Sequence, residues 1–180
     1  MGWGVISLLT VAVHRPAAVQ GQTEMLDRIR AIVDGHVIMQ SDIQASIDLQ
    51  LVATPTGPEQ DAAVLTHLIE RRLILDRVDR FAVAEPTPDA VDRRLEDVRR
   101  RLAGDAEFTA TLNRVGFTLD DLRQLMADDI RRDRYLADRF AVVGDARRAQ
   151  ATADWVADLV RRAQVRRVSG VVERAAPTRN

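Results

Sequence analysis

Residues 29–43, with the sequence IRAIVDGHVIMQSDI, constrain the fold of this chain more than any other segment. Apolar residues occupy every second position from Ile29 to Val33, and a period of two is typical of a half-buried strand. Asp34-Gly35 follows, a pair that tolerates positive φ at both central positions of a two-residue turn. The sequence therefore predicts a strand that reverses tightly.

The residues after the turn predict a second strand and the start of a helix. Residues 37–39 (VIM) would return antiparallel to the first strand, and Ser41 or Asp42 can cap the helix that follows. Elsewhere the chain shows no nucleophile motif, metal-ligand cluster or phosphate-binding loop. A functional interpretation must therefore come from architecture and resemblance.

The charge pattern argues against nucleic-acid binding. The 180-residue chain carries 26 basic and 27 acidic residues, and all the basic ones are arginine. Acids and arginines interleave, as in EDVRRR and DDIRRDR, which favours solvated helix faces with i,i+4 ion pairs over one basic face. We expect no nucleic-acid partner.

The N-terminal segment predicts export. Residues 3–13 form an apolar run shorter than the ~20 residues that span a bilayer, and it fits the apolar region of a signal peptide. Small residues follow, so we predict a signal peptide at 1–21 with cleavage before Gln22. The start Met1-Gly2 lacks the arginine that a signal peptide usually carries there. The alternative is a buried N-terminal element, and Arg15-Pro16 argues against it because proline would break a helix just after the apolar run.

The absence of cysteine is compatible with an oxidising compartment. We predict a periplasmic protein with no stable membrane insertion after cleavage.

The rest of the chain predicts helices. The segment 59–81 is apolar over most of its girth, which predicts a central helix enclosed by its neighbours. Further helices are predicted at 43–52, 88–102, 105–115, 119–140 and 146–164, with caps or breaks at Thr87-Pro88, Gly104, Gly116, Thr118–Asp121 and Gly144.

A short closing strand is predicted at 165–168 (VRRV), with Val171-Val172 as an extension. A two-stranded hairpin is marginal alone, so a third strand there would tie the C-terminus to the N-terminus. The predicted fold class is mainly α, with a small two- to three-stranded antiparallel sheet joining the N- and C-terminal ends. We predict one domain at 22–172 and a polar tail at 173–180.

Three segments together resemble the N-terminal core of the SurA-type periplasmic chaperones. They are LDRIRAIVDGHVIMQSDI at 26–43, VGFTLDDLRQLMADDIRRDRYL at 115–136 and ADWVADLVRRAQVRRV at 153–168. They are similar to the family's opening hairpin, to its Gly-x-Thr helix opening, and to its Trp-containing closing helix and strand. Members commonly carry parvulin prolyl-isomerase domains before the closing helix, where this chain has only residues 141–145. The resemblance implies a chaperone core without the isomerase.

The resemblance also implies a function and partners. The family's core binds unfolded outer-membrane polypeptides through exposed apolar surface and crevices. We therefore expect a non-catalytic holdase that binds unfolded polypeptide clients and needs no cofactor. A prolyl isomerase and a structural adaptor with one dedicated partner are the alternatives. The narrow apolar seam at 91–102 is compatible with a homodimer.

Each residue set that suggests chemistry has a simpler interpretation. The histidines (His14, His36, His67) do not form a metal-ligand set, and the methionines (Met25, Met39, Met126) are interpreted as core fillers. The acid pairs (Asp120-Asp121, Asp128-Asp129) are interpreted as solvated helix faces rather than catalytic carboxylates. Ser41-Asp42 is interpreted as a helix cap. We predict no catalytic, cofactor or metal residues, and the sequence assigns no client-binding residues.

Overall fold

The computed structural model describes residues 27–168. That part of the chain folds into six helices and one small sheet. The strands are β1 (Ile29–Val33), β2 (His36–Met39) and β3 (Val165–Arg167); the helices are α1 (Gln40–Asp48), α2 (Gln60–Arg80), α3 (Pro88–Arg101), α4 (Asp105–Val115), α5 (Leu119–Arg139) and α6 (Asp145–Arg162). The predicted fold class, mainly α with a small antiparallel sheet, is confirmed.

The sheet has the order β2-β1-β3, with both pairings antiparallel. The predicted turn is confirmed, because Asp34 and Gly35 have φ angles of 47° and 90°. The register of β1 against β2 shifts between Ile29 and Ala31, which places a bulge at Arg30. After the bulge, buried and more exposed residues alternate as predicted, because Ala31 and Val33 are fully buried and Ile32 between them is partly exposed.

The closing strand binds the opening strand along its other edge. Val165 lies opposite Val33, and the Val168 amide donates to the Arg30 carbonyl at 2.9 Å. Asp34 reinforces this contact from the turn, because its carboxylate accepts the Gln164 amide at 2.9 Å and its own amide donates to the Gln164 carbonyl at 3.2 Å. The predicted third strand, which joins the two ends, is therefore confirmed.

Helix α2 is the central helix, as predicted. It packs against β1, α1, α5 and α6 and contributes a large share of the main core. Its buried residues are Val64, Leu65, Ile69, Leu73, Ile74, Leu75 and Val78. A helix that is buried on several sides loses its single-stripe pattern, which is why its sequence is apolar over most of its girth.

A second core forms away from the sheet. Helices α3, α4 and α5 bury Leu95, Val98, Phe108, Leu112, Leu122 and Met126 together with Leu49. The seam of α3, which the sequence suggested for a dimer, packs within this second core through Leu95 and Val98, with Val91 and Leu102 at its margin. A homodimer stays a prediction, and it would have to use another surface.

Several predicted caps are confirmed. The Thr118 hydroxyl accepts the Asp121 amide at 3.1 Å, and the Asp121 carboxylate accepts the Thr118 amide at 2.9 Å, which completes a capping box. Gly116 ends α4 in the left-handed region with φ 73°. Pro88 occupies the first turn of α3 after Thr87.

The ends of α1 differ from the prediction of 43–52. The helix begins at Gln40, and Asp42 caps it from the third helical position by accepting the Met39 amide at 2.7 Å. Ser41 does not cap it, because it is the second residue of the helix and its hydroxyl and amide both donate to the Asp27 carboxylate. The helix ends at Asp48, where Gln50 takes φ 50° and the Leu51 amide returns to the Ser46 carbonyl, a termination usually made by glycine.

Three sequence predictions lie outside the described residues: the signal peptide at 1–21, the strand extension at Val171-Val172 and the tail at 173–180. Within residues 27–168, none of the helices has the length and apolar character needed to cross a membrane.

Gly35→Val should destabilise the fold. A β-branched residue at φ 90° is strained, and we expect a loss of about 1–2 kcal/mol in the free energy of unfolding, measured by chemical denaturation. A Cβ at this position meets nothing within 4 Å, so the loss would come from the backbone alone. Gly35→Asn is the matched control, because asparagine tolerates positive φ. Equal losses in the two variants would contradict this interpretation of the turn.

Candidate functional site

A cleft of about 410 Å³ lies between α2, α5 and α6. It forms because α6 packs mainly against α2, whereas α5 and α6 make little direct backbone contact. We call it the α6 cleft. Its apolar wall consists of Ile74, Leu136, Ala149, Ala153, Val156 and Ala157.

The alanines of the α6 cleft correct a prediction. The apolar stripe that the sequence predicts for the closing helix consists of Ala149, Ala153, Val156, Val160 and Ala163. Val156 and Leu159 are buried, but Ala149 and Ala153 are exposed. Two of the five stripe residues therefore form part of the accessible wall of a cleft.

An aromatic cluster joins α2, α5 and α6 beside this cleft. Tyr135 contacts Phe81 and Trp155 with ring centroids 5.6 and 6.0 Å apart, and Phe140 meets Trp155 edge to face at 6.0 Å. The Arg139 guanidinium lies 4.6 Å from the Trp155 ring centroid, at cation–π distance. Phe81 is nevertheless 66% exposed. The cluster thus presents apolar surface to solvent.

A second cavity, of about 520 Å³, lies between α2, α3 and α5. We call it the arginine cavity. It exists because α3 packs on α5 and hardly touches α2. Five guanidiniums and two carboxylates line it: Arg71, Arg94, Arg100, Arg101, Arg132, Asp97 and Asp129. Arg71, Arg132 and His67 also line the α6 cleft, so the two cavities share a wall.

A ladder of alternating charges holds this shared wall. Asp129 Oδ1 accepts from Arg71 Nε at 2.9 Å and lies 3.1 Å from Arg132 Nη1. Arg132 Nη2 then donates to Asp133 at 2.9 Å, and Asp133 also accepts from Arg94 at 3.0 Å. The side chains of Arg71, Asp129 and Arg132 are only 15–16% exposed. The ladder connects α2, α5 and α3 across a partly desolvated space.

Two ionisable groups on α2 respond to this environment. Burial lowers the pKa of His67, the guanidiniums of Arg132 and Arg71 lower it further, and the Asp129 carboxylate opposes them. Burial raises the pKa of Glu70, with the Arg167 guanidinium acting in the opposite direction.

The residues considered from the sequence are mostly dispersed. His36 is exposed beside the turn, Met126 is buried in the second core, and Met39 precedes α1. Asp121 is a helix cap, and Asp120 is exposed on the first turn of α5. His14 and Met25 lie outside the described residues. In the range 27–168, no group of three or more histidines and carboxylates is placed to hold a metal ion.

Asp128-Asp129 is the exception, and here the sequence interpretation is wrong. The pair is not a solvated face, since the two side chains are 24% and 15% exposed and both contact Arg71. Local spacing gave no sign of this, because the partner is 58 residues away. A usable signal is present in the sequence of α2, where Arg71 lies on a helix that is apolar over most of its girth. Such an arginine needs an acidic partner from a neighbouring element.

Comparison with known proteins adds no identification. No protein-family model matches the chain, and no curated protein is significantly similar to it. The resemblance to SurA-type chaperones therefore stays a prediction, and the function must be argued from the site.

Asp129→Asn should destabilise the protein through the ladder. Removing this charge leaves Arg71 and Arg132 facing each other with reduced compensation, and we expect a loss of about 1–3 kcal/mol in the free energy of unfolding. Asp92→Asn is the matched control, because it removes a carboxylate from the exposed pair with Arg123. We expect it to lower the free energy of unfolding by less than about 1 kcal/mol. Denaturant unfolding measures both. Similar small losses would show that the ladder contributes little.

His67 should make stability fall on mild acidification. Its pKa is lower in the folded protein than the ordinary 6.5, so the unfolded chain binds more protons and the free energy of unfolding decreases as pH falls through this value. His67→Gln should flatten that slope. The pKa of Glu70 is raised above its ordinary 4.5, so the folded protein binds more protons there. Glu70 therefore increases the free energy of unfolding as the pH falls toward 4.5, which opposes the effect of His67. His36→Gln removes an exposed imidazole for comparison, and an equal flattening there would contradict the assignment to His67.

Proposed function

We propose that this chain is a periplasmic holdase chaperone that binds unfolded polypeptides, outer-membrane proteins among them. The observation that carries the proposal is the α6 cleft, whose apolar wall the described residues 27–168 leave accessible at Ala149, Ala153 and Ala157. The resemblance of the opening hairpin, of α5 and of the closing helix to the SurA-type core supports the same function.

The cleft has dimensions suited to a short extended segment. Ala149, Ala153 and Ala157 repeat every fourth residue along one face of α6. At 1.5 Å per residue these alanines cover about 12 Å, which matches three to four residues of an extended chain at about 3.3 Å each. Because alanine side chains are small, a client backbone can approach the helix closely.

The polar groups that also line the cleft suit a polypeptide rather than an apolar small molecule. An extended segment brings unpaired amides and carbonyls, which cost free energy if they are buried without partners. Glu70, Arg132, Asp133 and Thr152 line the cleft beside its apolar wall and can bond to such groups. A client could thus bury apolar side chains while its backbone stays hydrogen-bonded.

Binding by such a surface is weak per contact and tolerant of sequence. Each apolar client side chain contributes about 1.5–3 kcal/mol at most, and ordering the client consumes much of that gain. Phe81 and Val142, which are 66% and 96% exposed, offer further apolar contacts. The proposal contains no catalytic step, so it predicts protection from aggregation without isomerase activity.

The test is the aggregation of a denatured outer-membrane protein that is diluted with and without the predicted mature chain, followed by light scattering. The double variant Ala149→Gln/Ala153→Gln places polar bulk on the cleft wall and should protect several-fold less than the unchanged chain. Ala146→Gln is the matched control, since Ala146 is exposed on the same helix and does not line the cleft. Gln is a good helix former, so α6 should keep its fold.

Three outcomes would overturn the proposal. Unchanged scattering at several-fold excess of the chain would rule out a holdase. Acceleration of a proline-peptide isomerisation to a rate typical of a parvulin would favour the enzyme alternative. Co-purification of one stoichiometric partner, without protection of denatured clients, would favour the adaptor.

A further inference from the structure

The arginine cavity carries more positive charge than its own carboxylates neutralise. Its lining holds five arginines against Asp97 and Asp129. Asp128 and Asp133, outside the lining, also pair with Arg71, Arg94 and Arg132, and Asp97 pairs with Arg100. Arg101 is therefore the arginine of this lining whose charge no carboxylate within the described residues compensates. Concave sites of one sign focus the field and concentrate ions of the opposite sign.

Donors remain for a ligand on this lining. The hydrogen bonds of Arg71 use Nε and Nη2, to Asp129 and to the Leu125 carbonyl, which leaves Nη1 for another acceptor. Arg101 donates only to the backbone carbonyls of Gln50 and Asp97, at 2.9 and 3.2 Å. No carboxylate within the described residues pairs with Arg101. A ligand carboxylate can accept charge-assisted hydrogen bonds from one N–H group on each of two guanidiniums.

An apolar chamber adjoins the charged cavity. It measures about 190 Å³ and shares Ser46, Leu51, Leu68, Arg71 and Leu125 with the arginine cavity. Its remaining lining is largely apolar, with Ile38, Ala45 and Phe117. Asp42 and Arg72 are the other charged side chains that line it. The α3 arginines that line the arginine cavity, Arg94, Arg100 and Arg101, form what we call the cationic mouth. The connected space therefore becomes more apolar from this mouth toward the chamber beneath α1.

We propose that the arginine cavity binds a carboxylate that is carried on a short aliphatic group. The carboxylate would take the free donors of Arg71 and Arg101, and the aliphatic group would enter the chamber between Leu51, Leu68 and Phe117. This inference does not depend on the chaperone function, because it concerns a cavity on the other side of the shared wall.

Two sources share this chemistry: a free short-chain fatty acid, and the terminal carboxylate of a polypeptide with an apolar last residue. Hexanoate represents the first and N-acetyl-leucine the second, and calorimetric titration of the full chain measures both. Hexanamide and N-acetyl-leucinamide are the neutral counterparts, acetate lacks the aliphatic group, and inorganic phosphate supplies charge alone. Arg101→Gln tests the cationic mouth, and it leaves no carboxylate of the described chain without its partner.

We expect saturable binding of hexanoate, of N-acetyl-leucine or of both, and whichever acid binds identifies the source. Each acid that binds should bind at least about tenfold more tightly than its amide, because charge-assisted bonds are lost in the amide. Arg101→Gln should weaken binding about three- to tenfold. Arg93→Gln, on the exposed face of the same helix and outside the lining, should change it less than twofold.

Four results would overturn the inference. They are the absence of saturable binding by both acids, equal affinity of acid and amide, equal loss in the Arg93 and Arg101 variants, and binding of phosphate or acetate as tight as that of hexanoate. The last result would indicate a simple anion site without an aliphatic pocket.

Discussion

The placement of β1 between β2 and β3 is the constraint on which the rest of the structure depends. It joins the start and the end of the described chain, so α6 must arrive beside α2 rather than beside α5. The Asp34 turn strengthens this closure, since its carboxylate and its amide both bind Gln164. Helix α6, fixed to the sheet at its C-terminal end, contacts α5 through Trp155 and leaves Ala149 and Ala153 exposed in the α6 cleft.

The arginine cavity has a related origin in helix packing. Helix α5 packs against α2 on one side and against α3 on the other, which separates the main core from the second core. Charged side chains from all three helices meet in the space between. A partly buried guanidinium is costly alone, so Arg71 requires Asp129, and the ladder to Arg94 follows. The ladder adds polar contacts between the helices that carry the two cores.

Features written in short stretches of sequence could be predicted, and features made by distant helices could not. The Asp34-Gly35 turn and the Thr118–Asp121 capping box depend on a few adjacent residues, and both are confirmed. The end of α1 was misplaced because Gln50, not glycine, takes the left-handed conformation there. The partnership of Asp129 with Arg71 depends on how α5 lies across α2. The adjacency of Asp128 and Asp129 in the sequence contains no information about that geometry.

The alanines of α6 show why a core stripe and a binding wall are hard to distinguish in sequence. Both need apolar residues every three or four positions, and only the neighbouring helix decides whether they are covered. Small side chains make the uncovered state tolerable, because the apolar area that Ala149 and Ala153 expose is modest and lies in a concavity. Leucines at the same positions would bind clients more tightly but would also favour self-association. On the proposed function, small residues at these positions keep the site open to transient clients without making the free protein aggregate.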